Sequence, residues 1–193
     1  KNESARLWVV CLIPLIYSGC GAAVLKTAKV TPEGALDVGV GLSSPPVSEF
    51  VLVPVAFVRT GIVRNIELGL ELRGIGGQTE IRGQLLRRPE LAVGLGFGCS
   101  SYLSLYLGSD IGGFAPYLHY SRRVNPWTVE QGQYYHWIAL GVQAPVTRHL
   151  SFIAEGALCP KDDSVPDEIP PWALLLSAAI VIRTPPPFLS ASW

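Results

Sequence analysis

Charge is scarce in this sequence. Lys, Arg, Asp and Glu make up 16% of its 193 residues, against about a quarter in an ordinary soluble domain. The 15 basic and 15 acidic side chains cancel to zero net charge, and no run of Lys or Arg occurs, which argues against a nucleic-acid surface. Methionine is absent, position 1 included, so the initiator is expected one residue upstream. The three histidines, His119, His136 and His149, lie far apart, and no Cys/His spacing suits zinc; neither a metal nor a cofactor is expected. The glycines of 94–98 alternate within a strand pattern and open no helix, unlike a phosphate-binding glycine loop. Past the first twenty residues there is no helical period of any length.

What is present is apolar and turn-rich. Hydrophobic residues reach 49%, mean hydropathy is +0.34, and 20 Gly with 16 Pro argue for many short elements. The length suits one domain. The organising stretch is 64–99. In 66–73, Ile66, Leu68, Leu70 and Leu72 alternate with Glu67, Gly69, Glu71 and Arg73. The beat resumes after Gly77, with Thr79, Ile81, Gly83 and Leu85 on one face and Gln78, Glu80, Arg82 and Gln84 on the other. It continues with Leu91, Val93, Leu95 and Phe97 against Glu90, Ala92, Gly94, Gly96 and Gly98. A period of two with one apolar face marks a strand, because successive side chains leave it on opposite sides. The pattern fits a soluble barrel with its apolar face inward and a transmembrane barrel with that face toward lipid.

The first twenty residues read as an export signal. Lys1 and Arg6 precede an apolar run at 7–18 that ends in small residues; twelve apolar residues fall short of the about 20 that span a bilayer as a helix. The end of this segment, Ile16-Tyr17-Ser18-Gly19-Cys20, resembles the bacterial lipoprotein lipobox, with Tyr17 where Leu is usual. The resemblance implies lipid attachment at Cys20, and the absence of Asp at Gly21 is compatible with outer-membrane sorting. Ordinary cleavage near 21–23 is the alternative. Residues 21–34 are expected to form a tether.

Ten strands are expected in 35–183, at 35–42, 50–59, 64–73, 78–87, 90–99, 102–108, 114–122, 134–143, 149–158 and 172–183. The connections at one end, 60–63, 88–89, 109–113 and 144–148, are all short. Three of the five at the other end, 43–49, 124–133 and 159–171, are longer. Short periplasmic turns, longer outer loops and an even strand count are the rule for transmembrane barrels, and strands of eight to twelve residues suit a tilted crossing. Aromatic girdles are expected at the two interfaces, from Phe50, Tyr120, Tyr134, Tyr135 and Trp172 at the loop end and from Phe57, Tyr106 and Phe114 at the turn end. The expected fold is therefore all-β, a closed antiparallel up-and-down transmembrane β-barrel of about ten strands, eight being possible. A Pro-rich tail at 184–193 follows, leaving Trp193 outside the last strand.

The segment Arg59-Thr-Gly-Ile-Val-Arg-Asn-Ile-Glu-Leu-Gly-Leu70, with Gln84-Leu-Leu86 and Leu91 to Gly98, resembles a hairpin of the bacterial outer-membrane β-barrel proteins. The resemblance covers roughly 35–183. It implies a porin-like location in a Gram-negative outer membrane, with outer-membrane lipid and the barrel-assembly machinery as partners and the N-terminal lipid on the periplasmic side.

Such a barrel would carry Asp37, Glu67, Glu71, Arg73, Glu80, Arg82, Glu155 and Arg183 on its inner face. Five acids against three arginines point to a salt-bridged polar interior, since about eight to ten strands leave little open channel. A small pore or ligand cavity is the alternative. His119 and Ser121 share a strand face, where an imidazole can activate a hydroxyl. The pair resembles the His-x-Ser of outer-membrane lipid A deacylases, with Glu130 as the acid candidate and Arg122 where that family has a small polar residue. Cys99 and Cys159 both end strands on the loop side, and their pairing stays open. The leading expectation is a non-enzymatic protein with a structural or small-solute permeation role. The alternatives are a lipid hydrolase using His119 and Ser121, and a periplasmic lipocalin-like binder of an apolar ligand.

Overall fold

The computed structural model describes residues 25–44, 52–73, 76–98, 101–124, 134–160 and 172–184. They form ten strands: β1 (Leu36–Ser43), β2 (Val53–Val63), β3 (Ile66–Arg73), β4 (Gly76–Arg87), β5 (Glu90–Gly98), β6 (Ser101–Gly108), β7 (Ala115–Val124), β8 (Tyr134–Pro145), β9 (Leu150–Pro160) and β10 (Trp172–Thr184). Each pairs antiparallel with its sequence neighbours, and β1 pairs with β10 from Leu36↔Thr184 to Ser43↔Ser177. The sheet has no free edge, so the backbone groups of every strand face a partner, as a chain without water around it requires.

The alternation read from the sequence sets which way each side chain points. Leu70, Ile81, Leu95, Leu103, Leu140 and Ile180 face outward and are exposed, Leu140 by 66%. Their neighbours Glu71, Glu80, Arg82, Ser104 and Ala139 face inward and are buried. Among the described strand residues, the outward face carries acidic or basic side chains only near strand ends, at Arg87, Arg122 and His136. An apolar belt outside and charges inside is the inversion that distinguishes a transmembrane β-barrel from a soluble one.

The first tight turn differs from expectation. β2 runs on to Val63, and the chain reverses at 64–65 rather than 60–63. Asn65 adopts a left-handed φ of 72°, which a short polar side chain tolerates, and a register shift between Gly61 and Val63 absorbs the extra residue. Gly61 is held in the ladder because its N–H donates to the Ala35 carbonyl (3.2 Å) and its own carbonyl accepts from Gly34 N–H (2.9 Å).

Two expected girdle residues also lie elsewhere. Phe57 and Tyr106 are buried in the lumen. Strand parity decides this: Phe57 shares a face with Val55 and Arg59, and Tyr106 with Tyr102 and Ser104. Phe114 and Tyr120 are outward and exposed.

Candidate functional site in the barrel lumen

Of the segment expected to act as a tether, residues 25–31 are packed inside the barrel, apart from the exposed Lys29, and 32–34 lie at its turn end. Leu25, Lys26, Thr27, Ala28, Val30 and Thr31 are all buried. The segment enters from the turn end, where Gly34 (φ 72°) reverses the chain into β1. Wall side chains grip its backbone. Leu25 N–H donates to Glu155 Oε2 (3.1 Å), Arg59 Nη2 donates to the Leu25 carbonyl (2.5 Å), and Arg82 donates to the Thr27 carbonyl. Thr31 N–H donates to Glu67 Oε2 (2.6 Å) and its hydroxyl to Asp37 Oδ2 (3.1 Å). Leu25, Ala28 and Val30 fill the apolar gaps against Phe57, Tyr106, Tyr117 and Ile153.

Charge explains the placement. Among the described residues the inner wall carries six carboxylates, Asp37, Glu67, Glu71, Glu80, Glu90 and Glu155, against five arginines, Arg59, Arg73, Arg82, Arg123 and Arg183, and an uncompensated buried charge is strongly unfavourable. Lys26 supplies a missing cation, its Nζ lying 2.5 Å from Glu80 Oε2 and 4.0 Å from Glu71 Oε2. Glu80 Oε1 in turn accepts from Ser104 Oγ and Tyr106 Oη, both at 2.8 Å. Arg82 Nη2 lies 2.9 Å from both oxygens of Glu67, and Arg73 pairs with Glu71 at 3.1 Å. At the closing seam Arg183 donates from Nε and Nη2 to the two oxygens of Asp37, each at 2.7 Å. Glu155 accepts from Tyr117 Oη (2.8 Å).

All eight charged residues expected inside, Asp37, Glu67, Glu71, Arg73, Glu80, Arg82, Glu155 and Arg183, therefore face the lumen, Arg183 being only half-buried. Sequence reasoning missed Lys26, Arg59, Glu90 and Arg123, which are also buried. Arg59 and Arg123 were legible by parity, since each lies two residues from an inward side chain, Phe57 and Ser121. Lys26 had no periodic signal.

Aromatic rings occupy much of the remaining space by lying across inward glycines of adjacent strands. A Cβ on Gly39 would stand 2.1 Å from Phe57, one on Gly96 2.0 Å from Tyr102, and one on Gly141 2.2 Å from Tyr117. These are directly paired positions. Only the absence of a side chain lets the rings lie flat there.

His119 and Ser121 do share the inward face of β7 and are fully buried. The His119 ring stacks on Tyr106 (centroids 4.6 Å apart), and neither of its nitrogens has a hydrogen-bond partner. The imidazole thus makes no bond to the Ser121 hydroxyl. Glu130, Cys99 and Cys20 lie outside the described residues, as do the signal segment and the tail after Thr184. At the turn end the lumen opens into a cavity of about 860 Å³ lined by Lys29, Arg64, Arg87, Arg88, Glu90 and Asp110 among others.

No family model and no curated protein matches the chain. Among solved structures it is similar to a barrel from the de novo design of transmembrane β-barrels, at 11% identity and a TM-score of 0.41, covering 81% of this chain and 100% of that one. It is also similar to the N-terminal β-barrel domain of Pseudomonas aeruginosa OprF, at 9% identity and a TM-score of 0.39, covering 80% of this chain and 100% of that one.

Proposed function

We propose that this protein is a non-enzymatic outer-membrane barrel that acts as a closed structural element and does not pass solutes while residues 25–31 occupy its lumen. The single observation that carries the reading is the Lys26 side chain seated on Glu80 within the barrel. A ten-stranded wall has a narrow interior, and the segment, the salt bridges and the rings over Gly39, Gly96 and Gly141 take up that space. An outer-membrane location is supported by the outward apolar belt together with the asymmetry between short turns and longer connections. The permeation reading is tested in the same experiment.

The purified full chain is inserted into planar bilayers, and insertion is confirmed by protease protection. The wild type is expected to show no stepwise conductance, and a variant lacking residues 25–34 to show steps. Stepwise conductance by the intact wild type would overturn the closed reading in favour of permeation. The hydrolase reading is weakened by the burial of His119 and by its ring nitrogens standing without a partner. Mass profiles of lipid A and phospholipids from cells making the wild type or His119→Ala are expected to match; loss of a hydrolysed species in the variant would restore the enzyme.

A further inference from the structure

We propose that the loop-side half of the lumen binds a small inorganic anion of halide size, held by Arg123 with His119 and Ser121 beside it. Arg123, next to the last residue of β7, is turned inward and buried, with 3% exposure. Its Nε lies 3.5 Å from Ser121 Oγ, so the side chain folds back along its own strand toward Ser121 and His119. The guanidinium carbon stands 4.7 Å from the centre of the Tyr102 ring. Both terminal nitrogens, Nη1 and Nη2, are buried without a hydrogen-bond partner, as are both nitrogens of His119. The other unpaired cation of the wall, Arg59, at least reaches the Leu25 carbonyl. Among the described residues Arg123 reaches neither a carbonyl nor a carboxylate.

The lumen's charge count points to the same place. Among the described residues the wall carboxylates Asp37, Glu67, Glu71, Glu80 and Glu155 are matched in number by Lys26, Arg59, Arg73, Arg82 and Arg183. Arg123 is then left over. The remaining inward acid, Glu90, stands at the opposite, turn end, where it begins β5. A guanidinium out of water with open donors is strongly unfavourable unless something neutralises it. A fork of N–H donors over an aromatic face, flanked by a hydroxyl and an imidazole that can donate, forms a lining for a compact anion. The same arrangement gives His119 and Ser121 a role that needs no lipid to enter the lumen.

The test uses the full chain refolded in a zwitterionic detergent. Crystals grown in sodium bromide are measured at the bromine absorption edge, and an anomalous peak within hydrogen-bond distance of the Arg123 terminal nitrogens is expected. Bromide peaks on the protein surface with none beside Arg123 would overturn the proposal. In solution, thermal unfolding is compared in sodium bromide and in sodium gluconate, a larger anion, at equal ionic strength. The wild type is expected to unfold several degrees higher in bromide, while Arg123→Gln shows no such difference. An equal bromide response in both proteins would place the effect elsewhere and sink the proposal. If Arg123→Gln does not refold, the bromide peak in the wild type decides alone.

Discussion

The Lys26 ammonium sits 2.5 Å from Glu80 Oε2 inside the barrel, joining a segment outside the sheet to the wall of β4. The pair is buried on both sides, and its carboxylate is further held by Ser104 and Tyr106. Truncating one partner leaves the other charge without compensation. We therefore expect Lys26→Met to destabilise the folded barrel by about 3–5 kcal/mol in urea titrations in lipid. The double variant Lys26→Met with Glu80→Gln should lose less than the sum of the two single variants. Additive losses would show that the two charges are not coupled.

The outward belt carries a prediction of opposite sign to that for a soluble core. Leu140 lies near the middle of β8 and is exposed toward lipid, whereas Leu86 is near the turn end of β4. In bilayers, Leu140→Arg should cost about 2–4 kcal/mol and Leu86→Arg about 0–1 kcal/mol. Equal, small effects from both in the same titration would show that Leu140 faces water.

The rings laid over glycines make those positions sensitive to one methyl group. Gly96→Ala places its Cβ against Tyr102, which must swing away in a filled lumen, and a loss of about 1–3 kcal/mol is expected. Gly83→Ala has open space around the added carbon and serves as the control, within about half a kcal/mol of wild type. Urea midpoints of the two variants, measured side by side, check the contrast.

Asp37 and Arg183 pair across the seam where β1 meets β10. The geometry is bidentate, but the Arg183 side chain is 36% exposed, so water screens the pair. Arg183→Gln is expected to destabilise by about 0.5–1 kcal/mol at low salt, with the difference shrinking at high salt. A loss unaffected by salt would point to packing of the arginine stem instead.

Most of the wall was legible in the sequence. In 66–73 the rule of alternate faces sufficed to put Glu67, Glu71 and Arg73 inside and Leu68, Leu70 and Leu72 outside, because a strand has only two sides. The same parity, carried consistently, places Phe57 and Tyr106 in the lumen; their position near a strand end favoured an interface reading that their face excludes. Strand lengths depend on more than parity. β2 extends past Gly61 because contacts with Gly34 and Ala35, far from it in sequence, keep it in the ladder.

The candidate site was only half visible. His119 and Ser121 share a face by spacing alone, but their isolation from each other's polar atoms comes from the stacking of His119 on Tyr106 of the next strand.

What the sequence determined by itself is the two-sidedness of the chain, and with it the barrel class, the apolar belt and the inner charges. The two faces follow from local geometry, the two-residue period of a strand, and which of them is outward follows from the alternation of short and longer connections. What only the tertiary structure decided is what neutralises and fills the interior. Residues 25–34 have no period to mark them. Their place depends on carboxylates from β3, β4 and β9 converging once the sheet has closed on itself. That convergence is a property of the ring of strands, because the field Lys26 enters exists only where separate strands bring their charges together.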